Sequence, residues 1–544
     1  MRKHPRQRCG RPVSIGRAAA LAFGVCAASG SGPALAAIFD TGNPDLQLRW
    51  DNTVRLNTGW RLQDRNPLIS NNSSFDSGDF KVDKGSAVLN RFDLFSEFDA
   101  TYQRKYGLRL SAAAWAAADK DDAKFNPAFS GAAAASQYTN DKYSSYTKRY
   151  YIGPSGEILD AFVFANFDTT AVPFSVRAGR LTSLWGEALF SSVHGVNYGQ
   201  AATDGRKGVL SPGATAKELS LPLGQITGQV QLTPELSLLG QYFVEWKPNR
   251  GSESGTYFGA ADALEYGPDK LRAAPLQPRN SGNHGVAARW SPQWLEGTLG
   301  VYYRKLDERA AWTLLAPGAP PGTTRSVYAQ GTQLMGLSLS RGIGGMSVGA
   351  DLVYRRNTAF NSAAAALPEG ARGNSLHAVV NLQNSLRTNA LWDSANLNAE
   401  LQFSHWISVR SNPQLFKASG FNAACPVDDI TNNCVTRNFV GVNVTFQPTW
   451  SQVLPSLDIT GLSSLSAGLR GVSAVLGGGS QGSGSYSLGV QATYASVHLV
   501  TLQYAGFFGK ARQNNQNIGT GGYSTVQNPL MDRGWLSLSY QTSF

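Results

Sequence analysis

Leu46-Gln47-Leu48-Arg49-Trp50-Asp51-Asn52-Thr53-Val54-Arg55-Leu56-Asn57-Thr58-Gly59-Trp60-Arg61-Leu62 alternates apolar and polar side chains. Leu46, Leu48, Trp50, Val54, Leu56, Trp60 and Leu62 fall on even positions, with Asn52 and Thr58 between them. Gln47, Arg49, Asp51, Thr53, Arg55, Asn57, Gly59 and Arg61 fall on odd ones. A period of two puts the two sets on opposite faces of a β-strand. Trp50 and Trp60 share the apolar face ten residues apart, as do Phe92 and Tyr102 in a second alternating stretch. Ten residues at about 3.3 Å each make roughly 33 Å of strand. A tilt of about 40° projects that to roughly 25 Å, the height of a lipid-facing band with its aromatic girdles. A soluble sheet has no reason to keep aromatics at that separation.

The chain ends in the same pattern. In Trp535-Leu536-Ser537-Leu538-Ser539-Tyr540-Gln541-Thr542-Ser543-Phe544, the residues Leu536, Leu538, Tyr540, Thr542 and Phe544 share one face. A terminal Phe with a Tyr four residues earlier resembles the closing strand of a Gram-negative outer-membrane barrel. Tyr540 and Phe544 are then the signal by which barrel-assembly machinery accepts the chain. The other end agrees. Arg2, Lys3, Arg6, Arg8, Arg11 and Arg17 precede the apolar run Ala18–Ala28, and Ala34-Leu35-Ala36 forms an A-x-A site. This predicts a signal peptide over residues 1–36, cleaved after Ala36, and a mature domain over 37–544. Cys26 follows Phe23-Gly24-Val25, a poor match to a lipoprotein box.

Removing the leader changes two counts. Six of the eleven net positive charges lie in it, leaving five over some 500 residues, which is no nucleic-acid footprint. Cys9 and Cys26 leave with it, so Cys425 and Cys434 remain. Nine residues apart in an exported chain, they predict a disulfide closing an external loop over 425–434. No stretch of about 18 apolar residues follows the leader, so helical spans are excluded. The fold class predicted is all-β: a transmembrane antiparallel up-and-down barrel.

Connection lengths support this. Gln103–Tyr106, Thr169–Ala171, Thr233–Glu235 and Gly342–Gly344 are brief turns, and segments rich in Gly, Ser, Asn, Ala and Pro alternate with them. Short periplasmic turns and long extracellular loops are the barrel arrangement. Eighteen strands are counted, from 46–58 to 533–544, with sixteen as the alternative. The uncertain strand is 457–474, where Gly468 and Gly471 can mark a bulge.

Several colinear segments resemble one proteobacterial family. They include Gly42-Asn43-Pro44-Asp45 with Leu48–Val54, Leu89-Asn90-Arg91-Phe92-Asp93, and Val176-Arg177-Ala178-Gly179-Arg180 with Leu184-Trp185-Gly186-Glu187. Further on come Pro212-Gly213 with Lys217-Glu218-Leu219, Tyr242 with Glu245-Trp246, Met335-Gly336-Leu337-Ser338 with Gly344-Gly345, and Asp532-Arg533. Together they are similar to an outer-membrane barrel family catalogued as domain of unknown function 1302. The resemblance implies outer-membrane lipid around the barrel, a periplasmic partner and an inner-membrane lipid-type transporter. It also implies traffic in hydrophobic or amphipathic molecules.

The third external loop, 183–222, holds Trp185, Glu187, His194, Asp204, Arg206, Lys207, Lys217 and Glu218. Folded into the lumen, opposed carboxylates and cations would narrow the pore and select solutes by charge. The pore candidates are Trp185, Glu187, Asp204, Arg206, Lys207, Lys217 and Glu218; folded over the mouth, they would be paired or exposed. In Trp185-Gly186-Glu187 the Gly suits a tight turn, the Trp a packed site and the Glu a bond to backbone amides. A second set, Arg49, Arg55, Arg61, Arg91 and Arg109 against Asp51, Asp93, Glu97 and Asp99, is expected on the lumen face. It reads more readily as cross-strand ion pairs than as a selectivity device. No nucleophile–base pattern, zinc spacing, P-loop or dinucleotide fingerprint occurs, so neither catalysis nor a cofactor nor a bound metal is expected. The function expected is an outer-membrane channel for small organic molecules, hydrophobic or anionic. The alternative is a surface receptor or assembly element with a closed lumen, using loops 425–434 and 118–156.

Overall fold

The structure, a computed structural model, describes residues 37–129, 136–168, 172–262, 266–514 and 524–544. The expected leader, the turn at Thr169–Ala171 and part of the Ala-rich loop lie outside these residues. Eighteen strands pair antiparallel with their sequence neighbours. They are β1 (Leu46–Arg61), β2 (Ala87–Tyr102), β3 (Tyr106–Ala117), β4 (Ser155–Phe167), β5 (Phe174–Leu181) and β6 (Leu223–Gln231). Next come β7 (Leu236–Phe243), β8 (His284–Trp290), β9 (Gly297–Leu306), β10 (Thr332–Ile343), β11 (Met346–Ala359) and β12 (Arg372–Leu386). The last are β13 (Ser394–Ser411), β14 (Asn438–Leu454), β15 (Leu457–Arg470), β16 (Gly484–Tyr494), β17 (His498–Phe508) and β18 (Trp535–Ser543). β1 pairs with β2 on one side and β18 on the other, from Thr53↔Ser543 to Arg61↔Trp535, which closes the barrel and leaves it without an open edge.

Two local details differ from expectation or refine it. The turn placed at Gly342–Gly344 sits at Gly344-Gly345, because Ile343 still pairs with Met346. Both turn residues take positive φ (58° and 86°), as a tight hairpin needs. The doubtful strand ends at Arg470. Its register slips between Gly441↔Gly468 and Val440↔Arg470, so the bulge lies at Leu469, and Gly471 turns the chain at φ +70°.

The even face of β1 points out and the odd face in, where Arg55, Asn57 and Arg61 are buried. Around the wall, Leu110, Val163, Leu337, Val380, Leu401 and Leu488 are exposed on the outside. Trp50, Tyr102, Tyr106, Trp290 and Tyr494 are exposed near the ends of the short turns. Such surface is stable against hydrocarbon and not against water.

At the opposite end the long loops pack on one another. Val82, Tyr138, Tyr143, Tyr151, Leu210, Tyr257 and Phe258 form one apolar cluster across four connections, closed by Trp535 of β18. Fully buried Arg61 pairs with Asp79 at 2.7 Å and Asp532 at 3.7 Å there. The Cys425–Cys434 disulfide is formed, with Cα atoms 5.7 Å apart, inside the connection between β13 and β14.

Candidate functional site

The connection between β5 and β6 enters the lumen and is gripped by the far wall. Gly186 makes the entry turn at φ +83°, where a Cβ would lie 2.6 Å from Val196 Cβ and 2.7 Å from Asp351 Oδ2. The backbone that follows presents successive N–H groups, and two inward carboxylates accept them. Asp351 on β11 accepts from Glu187 (2.9 Å), Ala188 (3.3 Å) and Val196 (3.0 Å). Glu400 on β13 accepts from Leu189 (2.6 Å), Phe190 (3.2 Å) and Ser191 (2.7 Å). Carboxylate–amide bonds of this kind are among the stronger ones in proteins.

Other wall residues complete the clamp. Arg304 on β9 donates to the carbonyls of Val196 (3.1 Å) and Tyr198 (2.6 Å). Asn381 on β12 donates to Glu187 O at 2.6 Å, and Asn443 on β14 to Ser191 Oγ at 2.8 Å. Glu308 accepts from Tyr198, Thr332, Thr358 and the amide of Ala359, which satisfies both oxygens. The loop thus spans the lumen from β5 to β14 and is fixed at its middle by charge-assisted bonds.

A buried imidazole pair belongs to the same clamp. His194 Nε2 donates to Gly478 O at 3.0 Å, which leaves its Nδ1 an acceptor. That nitrogen lies 2.9 Å from His377 Nδ1, which therefore carries the hydrogen. His377 Nε2 turns its one lone pair to Arg355 Nη2 (2.6 Å), with Ser375 Oγ 2.8 Å away. Four ring nitrogens are satisfied with both rings neutral. Burial pushes the His194 pKa down to about 4, with the neighbouring Arg355 charge adding to that.

The second half of the loop crosses back toward β1. Asp204 caps the short helix Gly205–Leu210 through the Lys207 amide and pairs with Arg206 (2.7 Å) and Arg250 (3.3 Å). Arg206 also holds Glu253 at 2.8 Å. Burial would raise the Asp204 carboxyl, yet Arg206 and Arg250 together keep it below its usual range. Thr215 and Glu218 form a capping box, and Glu218 takes Arg55 in two bonds of 2.9 and 2.5 Å. Burial raises and Arg55 lowers the Glu218 carboxyl; the guanidinium wins.

Trp185, Asp204, Arg206, Lys207 and Glu218 are therefore buried within the loop or against the wall, and line no open passage. Trp185 packs with Val196, Tyr198, Tyr302 and Leu334. Glu187 bonds no amide with its side chain; its own N–H is the donor, and burial raises its carboxyl. Lys217 reaches water and touches Glu97 at 3.2 Å. On the lumen wall, Arg49 pairs with Asp51 (2.7 Å), Arg91 with Asp93 (2.9 Å), and Arg109 with Glu97 and with Asp99 (3.6 Å). Arg55 faces Asp93 in register but bonds Glu218 instead.

The loop divides the lumen. Inward residues of β9 to β13 such as Arg304, Ser338, Asp351, His377 and Glu400 are buried beneath it. Those of β15 to β17, including Ser464, Ser487, Gln491 and Thr501, remain partly open to water. Sequence reasoning missed Asp351, Glu400, His377 and Arg355. A signal existed for two: Glu400 is the only acid of β13 and Asp351 the only acid of β11.

The family model described as "Protein of unknown function (DUF1302)" matches residues 17–544. No curated protein matches the chain significantly. Among solved structures, it is similar to the outer membrane protein opdK of Pseudomonas aeruginosa, with 12% identity, 91% of this chain and 98% of that one covered, and a TM-score of 0.39. It is also similar to OccAB2 of Acinetobacter baumannii, with 10% identity, 91% and 98% covered, and a TM-score of 0.44.

Proposed function

The chain belongs to the DUF1302 family, whose model spans nearly all of it, and from that premise we propose that it is an outer-membrane channel for small organic molecules. One observation carries the reading: an inward loop fills the β9–β13 side of a closed barrel and leaves a water-reached polar sector along β15 to β17. A clamped loop narrows a pore without sealing it, and the exposed apolar belt outside calls for a bilayer. The protein reaches the membrane after cleavage near Ala36, and Tyr540 and Phe544 are read by the assembly machinery. Cargo of hydrophobic or amphipathic character would be passed to or from a periplasmic partner and an inner-membrane lipid-type transporter. Purified protein in planar bilayers should conduct KCl in stable steps. A consistently silent membrane, with protein shown to be inserted and folded, would reject the reading in favour of a receptor with a closed lumen.

A further inference from the structure

The charges of the lumen are unevenly placed. β1 to β3 carry Arg49, Asp51, Arg91, Asp93, Glu97 and Arg109, and these are already paired with one another. By register, the inward positions of β14 to β18 include a single ionisable group, Asp458, which lies beside the turn at 455–456 and accepts the Gln452 amide at 2.7 Å. The rest of that wall is neutral. Its hydroxyls and amides bond one another loosely: Ser464 to Ser487 (2.7 Å), Gln503 to Ser487 (2.9 Å), Gln491 to Thr501 (3.0 Å).

The loop offers an apolar edge beside it. Leu189 and Phe190 are 40% and 43% exposed although they lie within the barrel. Their amides are held by Glu400, and Ser191 is held by Asn443 on β14, so the two side chains stand where the covered sector meets the neutral one. Exposure inside a barrel is exposure to the passage. A large apolar pair kept in water by three carboxylate bonds has no role in the clamp itself.

We propose that the passage between Leu189–Phe190 and the neutral wall selects uncharged amphipathic solutes with one flat apolar face and one hydroxylated face. The inference rests on the channel reading and narrows it. A charged solute would lose hydration against a wall with no counter-charge, and the charges of β1 to β3 are already held in pairs. An uncharged solute exchanges water for Ser, Thr and Gln bonds on one side and for ring contact on the other.

The test uses the mature protein in liposomes and bilayers with three probes: glucose, 4-nitrophenyl β-glucoside and benzoate. The aryl glucoside should enter faster than glucose despite its size, and the bi-ionic potential should show no preference for benzoate over chloride. Leu189→Ser with Phe190→Ser should cut the aryl-to-plain ratio by about three- to tenfold, and Phe190→Leu should keep most of it. Should the double variant fail to insert, Thr501→Lys on the neutral wall should slow the aryl glucoside and bring anion preference. Conduction with glucose faster than the aryl glucoside, or with benzoate preferred, overturns this inference alone. Silence toward KCl and every probe overturns the channel reading with it.

Discussion

His194 on the inward loop and His377 on β12 face each other through their Nδ1 atoms at 2.9 Å, both buried, with a guanidinium on one side and a carbonyl on the other. The arrangement works only while both rings are neutral. A proton added to His194 Nδ1 sets two donors against each other beside Arg355, with the Phe439 ring as the other neighbour.

The pH dependence follows from the direction of the shift. His194 binds its proton below about 4 when folded and near the ordinary 6.5 when unfolded. The stability it contributes is present above pH 6.5, falls as pH drops from there, and is gone below about 4. The loss is on the order of 3 kcal/mol. Asp76 and Asp262, raised to about 8 and about 6 by burial, slope the other way. The measurement is therefore the difference in melting temperature between the native protein and His194→Phe, which should shrink between pH 7 and pH 4.

Glu400→Ala should loosen the loop. Three N–H groups lose their acceptor, at a cost of about 2–4 kcal/mol once lumen water has replaced part of it. Single-channel conductance should rise and become noisier, with Glu400→Gln between the two. An unchanged conductance in the alanine variant would mean that the loop is held without Glu400.

Arg55 and Glu218 are 1% and 2% exposed as side chains. Glu218→Ala leaves a buried guanidinium uncompensated and should cost about 3–5 kcal/mol, whereas Arg55→Met with Glu218→Leu should recover most of it. Thermal unfolding in detergent measures both. Equal losses in the single and double variants would show that the pair is not the source.

Removing Phe544 should slow outer-membrane assembly. Its amide and carbonyl complete the seam with Asn52 at 2.9 and 2.8 Å, and its ring is exposed on the lipid side. The fraction of protein resistant to heat-induced mobility change on gels should fall. Full assembly without Phe544 would make the last ring incidental.

Much of the architecture was legible because alternation is a local property. The parity of Trp50 and Trp60 against Arg55 and Arg61 settles which face meets lipid whatever the partner strand. The limits read from it lie close to the structure's for the first and last strands, 46–58 against 46–61 and 533–544 against 535–543, whereas 457–474 ends four residues early, at Arg470. The site was less legible. Charged residues on 183–222 suggested a charged constriction, but burial turns Asp204, Arg206 and Glu218 into fastenings. Nothing in the order of residues shows that Glu400 would meet the amides of residues 189–191 across 209 to 211 positions.

The sequence by itself determined a β-barrel, its lipid-facing surface, its closing strand and its family, since each depends on residues near one another in the chain or on a pattern repeated along it. Only the tertiary structure decided which lumen charges are free, where the loop is tied and which sector stays open to water. Those depend on pairing between strands far apart in sequence. In a closed barrel each inward side chain competes for partners across the lumen, and the strongest pair removes both members from the passage.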